Sequence, residues 1–234
     1  MLDNIIKIKN FLPSFLYNFF KYIYHILRFY NLIVPGYGVK DDIIFGDKKT
    51  GEFLQQKILN SKKFLEFGTG KTTIFASNKK IIHYSIESDR SFYFYMKKRN
   101  IKGILFYSLG FVKFYSYPLF DSKLFKKFYK IKAKVYASKI FDLLNDELFF
   151  PDLILVDGRF RVLCMLNIFL YLKSNKLNKT CVILDDFKDR EYYNEINSFF
   201  TVSLNGRLGV CYIKDSVSVD NINILIEKYS MDPR

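Results

Sequence analysis

Phe64-Leu65-Glu66-Phe67-Gly68-Thr69-Gly70-Lys71-Thr72-Thr73 decides how the rest of the chain is read. A short apolar run ends on an acid, two glycines follow with one residue between them, and a threonine-rich helix start comes next. That order describes a strand turning sharply into a helix while its backbone closes on a ligand. Glycine permits positive φ and removes the Cβ that would hold a ligand off the backbone. A tight turn with no ligand fits the same residues, so the stretches around it have to decide.

Three nucleotide-binding loops compete for this turn. A P-loop needs Gly-x-x-x-x-Gly-Lys-Ser/Thr. Gly70-Lys71-Thr72 fits its end, but the first glycine falls at Leu65 and Glu66 would aim a carboxylate at the phosphates. The dinucleotide fingerprint Gly-x-Gly-x-x-Gly asks for glycine where the chain has Thr73. The acid-x-Gly-x-Gly loop of S-adenosylmethionine (SAM) enzymes is the third, and it alone uses Glu66. There the acid serves the positively charged methionine end, and the glycines admit the methionine backbone and the ribose.

Outward from the loop, strands and helices alternate. The pattern predicts helices over about Gly51–Leu59, Lys71–Asn78, Arg90–Arg99, Ser122–Leu144, Phe160–Leu172 and Asn221–Lys228. It predicts parallel strands at Lys63–Phe67, Ile81–Ile86, Gly103–Tyr107, Leu153–Val156 and Cys181–Leu184. Phe199–Leu204 and Val210–Ile213 flank Asn205-Gly206 and read as an antiparallel hairpin. The expected fold is therefore α/β: a doubly wound, mostly parallel, seven-stranded Rossmann-like sheet closed by a C-terminal antiparallel hairpin.

In such sheets ligands bind beyond the carboxyl ends of the strands. Those ends read Glu66-Phe67-Gly68-Thr69-Gly70, Glu87-Ser88-Asp89, Asp157-Gly158-Arg159 and Asp185-Asp186-Phe187. Four strands meet a carboxylate there, which favours a site over a mere turn. Glu87, some twenty residues past the glycine loop, suits the two ribose hydroxyls of an adenosine cofactor, whereas Asp89 suits a helix cap. Asp157, Asp185 and Asp186 end neighbouring strands and would repel one another unless a cation intervened. Hard oxygen ligands point to Mg²⁺ or another hard divalent ion, which could bind a substrate hydroxyl and lower its pKa. The plainer alternative has Asp157 ordering its glycine turn and Asp185 capping a helix. Arg159, Arg161 and Arg190 lie beside these acids, placed either to bind an anionic substrate group or to pair with the aspartates. Tyr192 and Tyr193 line the pocket or pack in the core.

The 234 residues suit one domain, 50–234, behind an extension over 1–49. Cys164, Cys181 and Cys211 sit in apolar segments without metal spacing and read as reduced core residues of a cytoplasmic protein. His25 and His83 are too far apart in sequence to build a metal site. The formal net charge of +14 is uneven: Lys97 to Lys139 holds twelve Lys/Arg against a single acid, Asp121. That clustering suggests an anionic partner or surface. Over Ser122–Leu144, Leu124, Phe128, Ile131 and Val135 recur at helical spacing, with Lys123, Lys127, Lys130 and Lys134 as a separate stripe. Residues 1–36 are aromatic and apolar but interrupted by Lys21, His25 and Arg28, too short a charge-free run to span a bilayer. They read as a helix packed on the domain, or as an interfacial helix giving residues 1–30 a peripheral contact at the cytoplasmic membrane face.

Leu65-Glu66-Phe67-Gly68-Thr69-Gly70, Ser85-Ile86-Glu87-Ser88-Asp89, Val156-Asp157-Gly158-Arg159-Phe160-Arg161 and Leu184-Asp185-Asp186-Phe187, in that order, resemble class I SAM-dependent methyltransferases. Within them the chain resembles a bacterial group carrying Val-Asp-Gly-Arg-Phe-Arg, over about Thr50 to Ile213. Ser108-Leu109-Gly110 through Tyr117-Pro118 also resembles that group, with Ser108 where an acid is usual. The acidic set is similar to that of metal-dependent sugar O-methyltransferases, which carry one Asp after strand four and Asp-Asp-Tyr after strand five; Phe187 replaces the Tyr. The resemblance implies SAM held by Glu66, Phe67, Gly68, Thr69, Gly70, Thr72, Glu87, Ser88 and Asp157. It implies a divalent metal on Asp157, Asp185 and Asp186, Asp157 as the base, and a sugar, glycan or nucleotide-sugar acceptor near Arg159, Arg161 and Arg190. RNA methylation is the competing enzyme reading, motivated by the basic stretch, but neither an Asn/Asp-Pro-Pro-Tyr/Phe motif nor a lysine after strand five supports nucleic acid. A non-catalytic membrane-associated protein on a vestigial fold is the non-enzyme reading.

Overall fold

Apolar residues on both faces of five short strands require a helical layer on each side, and that is the arrangement found. The computed structural model describes residues 13, 16–17, 19–20, 23–24, 27, 47–109 and 123–234. In chain order the elements are α1 (Lys48–Leu59), β1 (Lys63–Phe67), α2 (Lys71–Asn78), β2 (Ile82–Glu87), α3 (Arg90–Lys97), β3 (Ile104–Phe106) and α4 (Lys123–Asp146). Then follow β4 (Leu153–Val156), α5 (Arg161–Ser174), β5 (Cys181–Leu184), a 3-10 helix (Glu191–Ser198), β6 (Phe200–Asn205), β7 (Leu208–Ile213) and α6 (Ile222–Tyr229). The sheet order is β3-β2-β1-β4-β5-β7-β6. The first five strands pair in parallel, while β7 runs antiparallel to β5 and β6.

Side chains alternate faces along each strand. Leu65, Phe67, Ile154, Val156, Val182 and Leu184 pack with α4 and α5 in the larger core. Phe64, Leu153, Leu155 and Ile183 pack on the other face with Leu54 and Ile58 of α1 and Ala76 of α2. Glu66 shares the parity of Phe64, so it lies on the α2 side. The helices and strands expected between residues 51 and 228 are all present. The 3-10 helix after β5 had no sequence signal, because its Tyr193 and Ile196 are buried singly among polar residues. All three cysteines are buried and free.

Helix α4 departs from expectation in its orientation. Its buried side is Tyr129, Ala133, Tyr136, Ala137, Ile140, Phe141 and Leu144. Leu124, Phe128, Ile131 and Val135, the residues picked out by spacing, are exposed. The helix carries two apolar faces, and the buried one includes two alanines, Ala133 and Ala137. Most of the expected N-terminal extension, and the segment from Gly110 to Pro118, fall outside the described residues. Among the described residues no helix is long and apolar enough to cross a membrane.

Candidate functional site at the carboxyl edge of the sheet

The turn after β1 is fixed from below and from the side. Gly68 has φ +97°, and a Cβ there would lie 2.8 Å from both the Cα and N of Gly158. A Cβ on Gly158 would collide with Tyr136 Oη. The ends of β1 and β4 therefore touch backbone to backbone, with α4 behind them. Gly70 differs: a Cβ there meets nothing within 4 Å. The fold does not require glycine at 70, and the space in front of it is open.

Glu66 is buried under this turn. It accepts hydrogen bonds from Thr72 Oγ1, from Thr73 Oγ1 at 2.6 Å and from Ser85 Oγ at 3.0 Å. Ser85 is its registered neighbour on β2. Thr73 Oγ1 in turn accepts the Gly70 N–H at 2.9 Å. Burial pushes the Glu66 carboxyl up to about 7, against the pull of the three hydroxyls. The loop acid thus shapes the loop from inside, and Thr72 turns inward with it. Phe67 places its side chain in the core against Tyr136 and Phe141, leaving its backbone at the edge.

Glu87 ends β2 and faces the same loop. Its Oε2 accepts from Thr69 Oγ1 at 2.5 Å and Thr69 N at 3.3 Å. Its Oε1 accepts the N–H groups of Ser88 at 2.7 Å and Asp89 at 2.6 Å. Burial raises its pKa, and these donors oppose the shift. Asp89 caps α3, accepting from Ser91 N and Phe92 N.

The expected metal site is corrected by the partners of its carboxylates. Asp157 Oδ1 accepts from Arg161 Nη2 at 3.0 Å, Asp185 Oδ2 from Arg207 Nη2 at 2.9 Å, and Asp186 Oδ2 from Arg190 Nη2 at 2.9 Å. Asp186 also lies 3.4 Å from Arg161 Nη1 and 3.3 Å from Arg207 Nη1. Among the described residues no group of three His, Cys, Asp or Glu side chains could hold a metal ion. The repulsion expected among Asp157, Asp185 and Asp186 is real, but three guanidinium groups relieve it. The trio as arranged does not fit a hard divalent ion, since each carboxylate would first have to give up an arginine.

Arg161 and Arg190 are consequently engaged within the fold, Arg161 also donating to the Asp185 carbonyl at 2.7 Å. Arg159 is exposed and forms no ion pair among the described residues. Tyr193 is fully buried and stacked on Phe187 at 5.8 Å, a packing residue. Arg207 was not foreseen. It sits in the β6–β7 turn, which the antiparallel pairing of β7 with β5 returns to the strand ends. Nor was the tail: the Pro233 and Arg234 carbonyls accept the N–H groups of Phe160 and Arg161 at 3.1 and 2.8 Å. They cap α5, whose N-cap Phe160 is left-handed and has no side-chain bond to offer.

Side-chain exposure separates the three aspartates: 33% for Asp157, 26% for Asp186 and 3% for Asp185. Desolvation and the charge of Asp185 raise the Asp157 pKa, and Arg161 pulls it back. Asp185 Oδ1 is buried with no hydrogen-bond partner among the described residues.

No protein-family model matches the chain, and no curated protein does. Thirteen chains of solved structures match it. One is the crystal structure of a methyltransferase-like protein from Silicibacter pomeroyi, 20% identical, with a TM-score of 0.61, covering 83% of this chain and 100% of that one. At that identity the likeness speaks for the fold: α/β, with a mostly parallel seven-stranded sheet and antiparallel C-terminal strands.

Proposed function

We propose that the chain is a SAM-dependent O-methyltransferase whose acceptor is a hydroxyl of a sugar or glycan. The observation that carries the reading is Gly70, a glycine facing open space in the loop between β1 and α2, beside a strand-end carboxylate at Glu87. Gly68, Thr69, Gly70, Glu87 and Ser88 would hold the cofactor, with Glu66, Thr72 and Thr73 setting the loop's shape. Glu87 offers a carboxylate where ribose hydroxyls can be accepted, in competition with the Thr69 hydroxyl. The bound cofactor supplies a methyl group on a positively charged sulfur.

Asp157 is the group to take the acceptor hydroxyl's proton. It is the most exposed of the three aspartates, and its raised pKa suits proton transfer nearer neutrality than an ordinary carboxylate allows. Asp185, Asp186 and their arginines hold it in place. Arg159 is placed to receive an anionic part of the acceptor, such as a nucleotide-sugar phosphate. The test is calorimetric binding of S-adenosylhomocysteine, followed by mass-spectrometric detection of methyl transfer to a panel of sugars and nucleotide sugars. Micromolar binding, and turnover lost in Asp157→Asn while binding persists, are expected. No binding sinks the cofactor; undiminished turnover in Asp157→Asn sinks the base.

A further inference from the structure

Among the described residues, one apolar face of helix α4 has no cover. Leu124, Phe128, Ile131 and Val135 are 65, 58, 47 and 38% exposed. At about 100° per residue they fall within a sector roughly 60° wide and about 16 Å long. The opposite side of the same helix is buried through Tyr129, Ala133, Tyr136, Ala137 and Ile140. A surface helix needs one apolar stripe, and a second, contiguous one marks a contact. Exposed Lys132 borders the sector on one side and exposed Lys127 on the other, each within about 40° of the nearest apolar position. Lys130 and Lys134 lie beyond Lys127 and pair with Glu227 of α6.

We propose that this face of α4 docks on an anionic lipid bilayer, with Leu124, Phe128, Ile131 and Val135 entering the headgroup–acyl boundary and the bordering lysines reaching the lipid phosphates. Charge selects the occupant. A second copy of the chain, paired through the same stripe, would align Lys127 and Lys132 of both copies along one seam. Residues 123–141 of α4 include no acid, and Glu227 of α6 is already paired with Lys130 and Lys134, so the helix brings no free acid of its own to that seam. An anionic bilayer supplies apolar depth and negative charge together, and lysine stems bend along apolar side chains to reach phosphates. The position is also informative. The inner side of these same turns abuts the site, Tyr129 against Phe160 at 5.5 Å and Tyr136 against Gly158. Docking therefore sets the carboxyl edge of the sheet beside the membrane surface. The contact itself does not depend on the methyl-transfer reading.

Flotation of the full chain with vesicles tests this. Vesicles of phosphatidylcholine with phosphatidylglycerol should carry the protein up, in a salt-sensitive way, and phosphatidylcholine alone should not. Phe128→Gln and Ile131→Gln should each weaken binding by roughly tenfold, the factor that goes with withdrawing one such side chain from an apolar phase. Their thermal midpoints should match the parent, because both positions are exposed. Lys127→Gln/Lys132→Gln should reduce binding and its salt dependence. Three outcomes overturn the proposal: no flotation with anionic vesicles, flotation unchanged in Phe128→Gln/Ile131→Gln, or a wild-type dimer that this double variant converts to monomer.

Discussion

Glu66→Gln isolates the physics of the loop. Glu66 is 1% exposed, takes three hydroxyl donors and has no cationic partner among the described residues. Its carboxyl stands at about 7 in the folded chain against an ordinary 4.5. Between those values the folded protein keeps a proton on Glu66 that the unfolded chain has released. The native state binds more protons, so stability falls as pH rises through this window and levels off above it. Moving the carboxyl that far corresponds to about 3 kcal/mol. Glutamine keeps the shape and hydrogen-bonding capacity but cannot ionise. Urea unfolding of both proteins at intervals from pH 4.5 to 8.5 measures the effect. The stability of Glu66→Gln relative to wild type should climb by about 3 kcal/mol across the range. Glu87 and Asp157 are raised in the same direction and couple to Glu66 only weakly, so they largely cancel in the difference. A constant gap would refute the reasoning. A gap that shrinks with pH would mean that the hydroxyls hold Glu66 ionised and that burial is the weaker effect.

The two loop glycines should part company. Gly68→Ala meets the Gly158 backbone at 2.8 Å with φ +97° and should cost about 3 kcal/mol or more in a urea melt. Gly70→Ala should melt like the parent, yet weaken S-adenosylhomocysteine binding roughly tenfold or more by calorimetry, as a methyl group placed in a ligand's seat does. Arg207→Ala strips the buried Asp185 of its guanidinium and should destabilise by about 3 kcal/mol, read in the same melt. If Asp157 is the base, kcat/KM should rise with pH as its raised carboxyl ionises, and the rise should disappear in Asp157→Asn.

The strands and the turn were legible because their signals are local. Phe64 to Gly70 contains its own strand, its own stop and a glycine with nowhere else to belong. What side chains do at the strand ends was less legible, because it depends on parity and on distant partners. Glu66 reads as a ligand acid in one dimension. Alternation puts it on the Phe64 face, opposite Ser85 and beneath Thr72 and Thr73, and no local motif reports that. Helix α4 failed for a related reason. Periodicity finds every apolar face, and choosing the buried one requires knowing the tertiary partners, such as Phe67 of β1 against Tyr136 and Phe141.

The acidic set shows the same limit. Asp157, Asp185 and Asp186 do lie together at the strand ends, but arginines stand where a metal cation was expected. The residue that completes the neutralisation, Arg207, lies in a hairpin turn whose sequence neighbours, Asn205 and Gly206, speak only of a turn. With three arginines answering three aspartates, the cluster is close to neutral and does not need an ion to exist. Its remaining asymmetry is one of access. Asp185 is closed off by Arg207, Asp186 is shared among Arg161, Arg190 and Arg207, and Asp157 keeps a third of its side chain exposed. Of the three, Asp157 is the carboxylate most open to a partner from outside the cluster, and burial together with the charge of Asp185 raises its pKa.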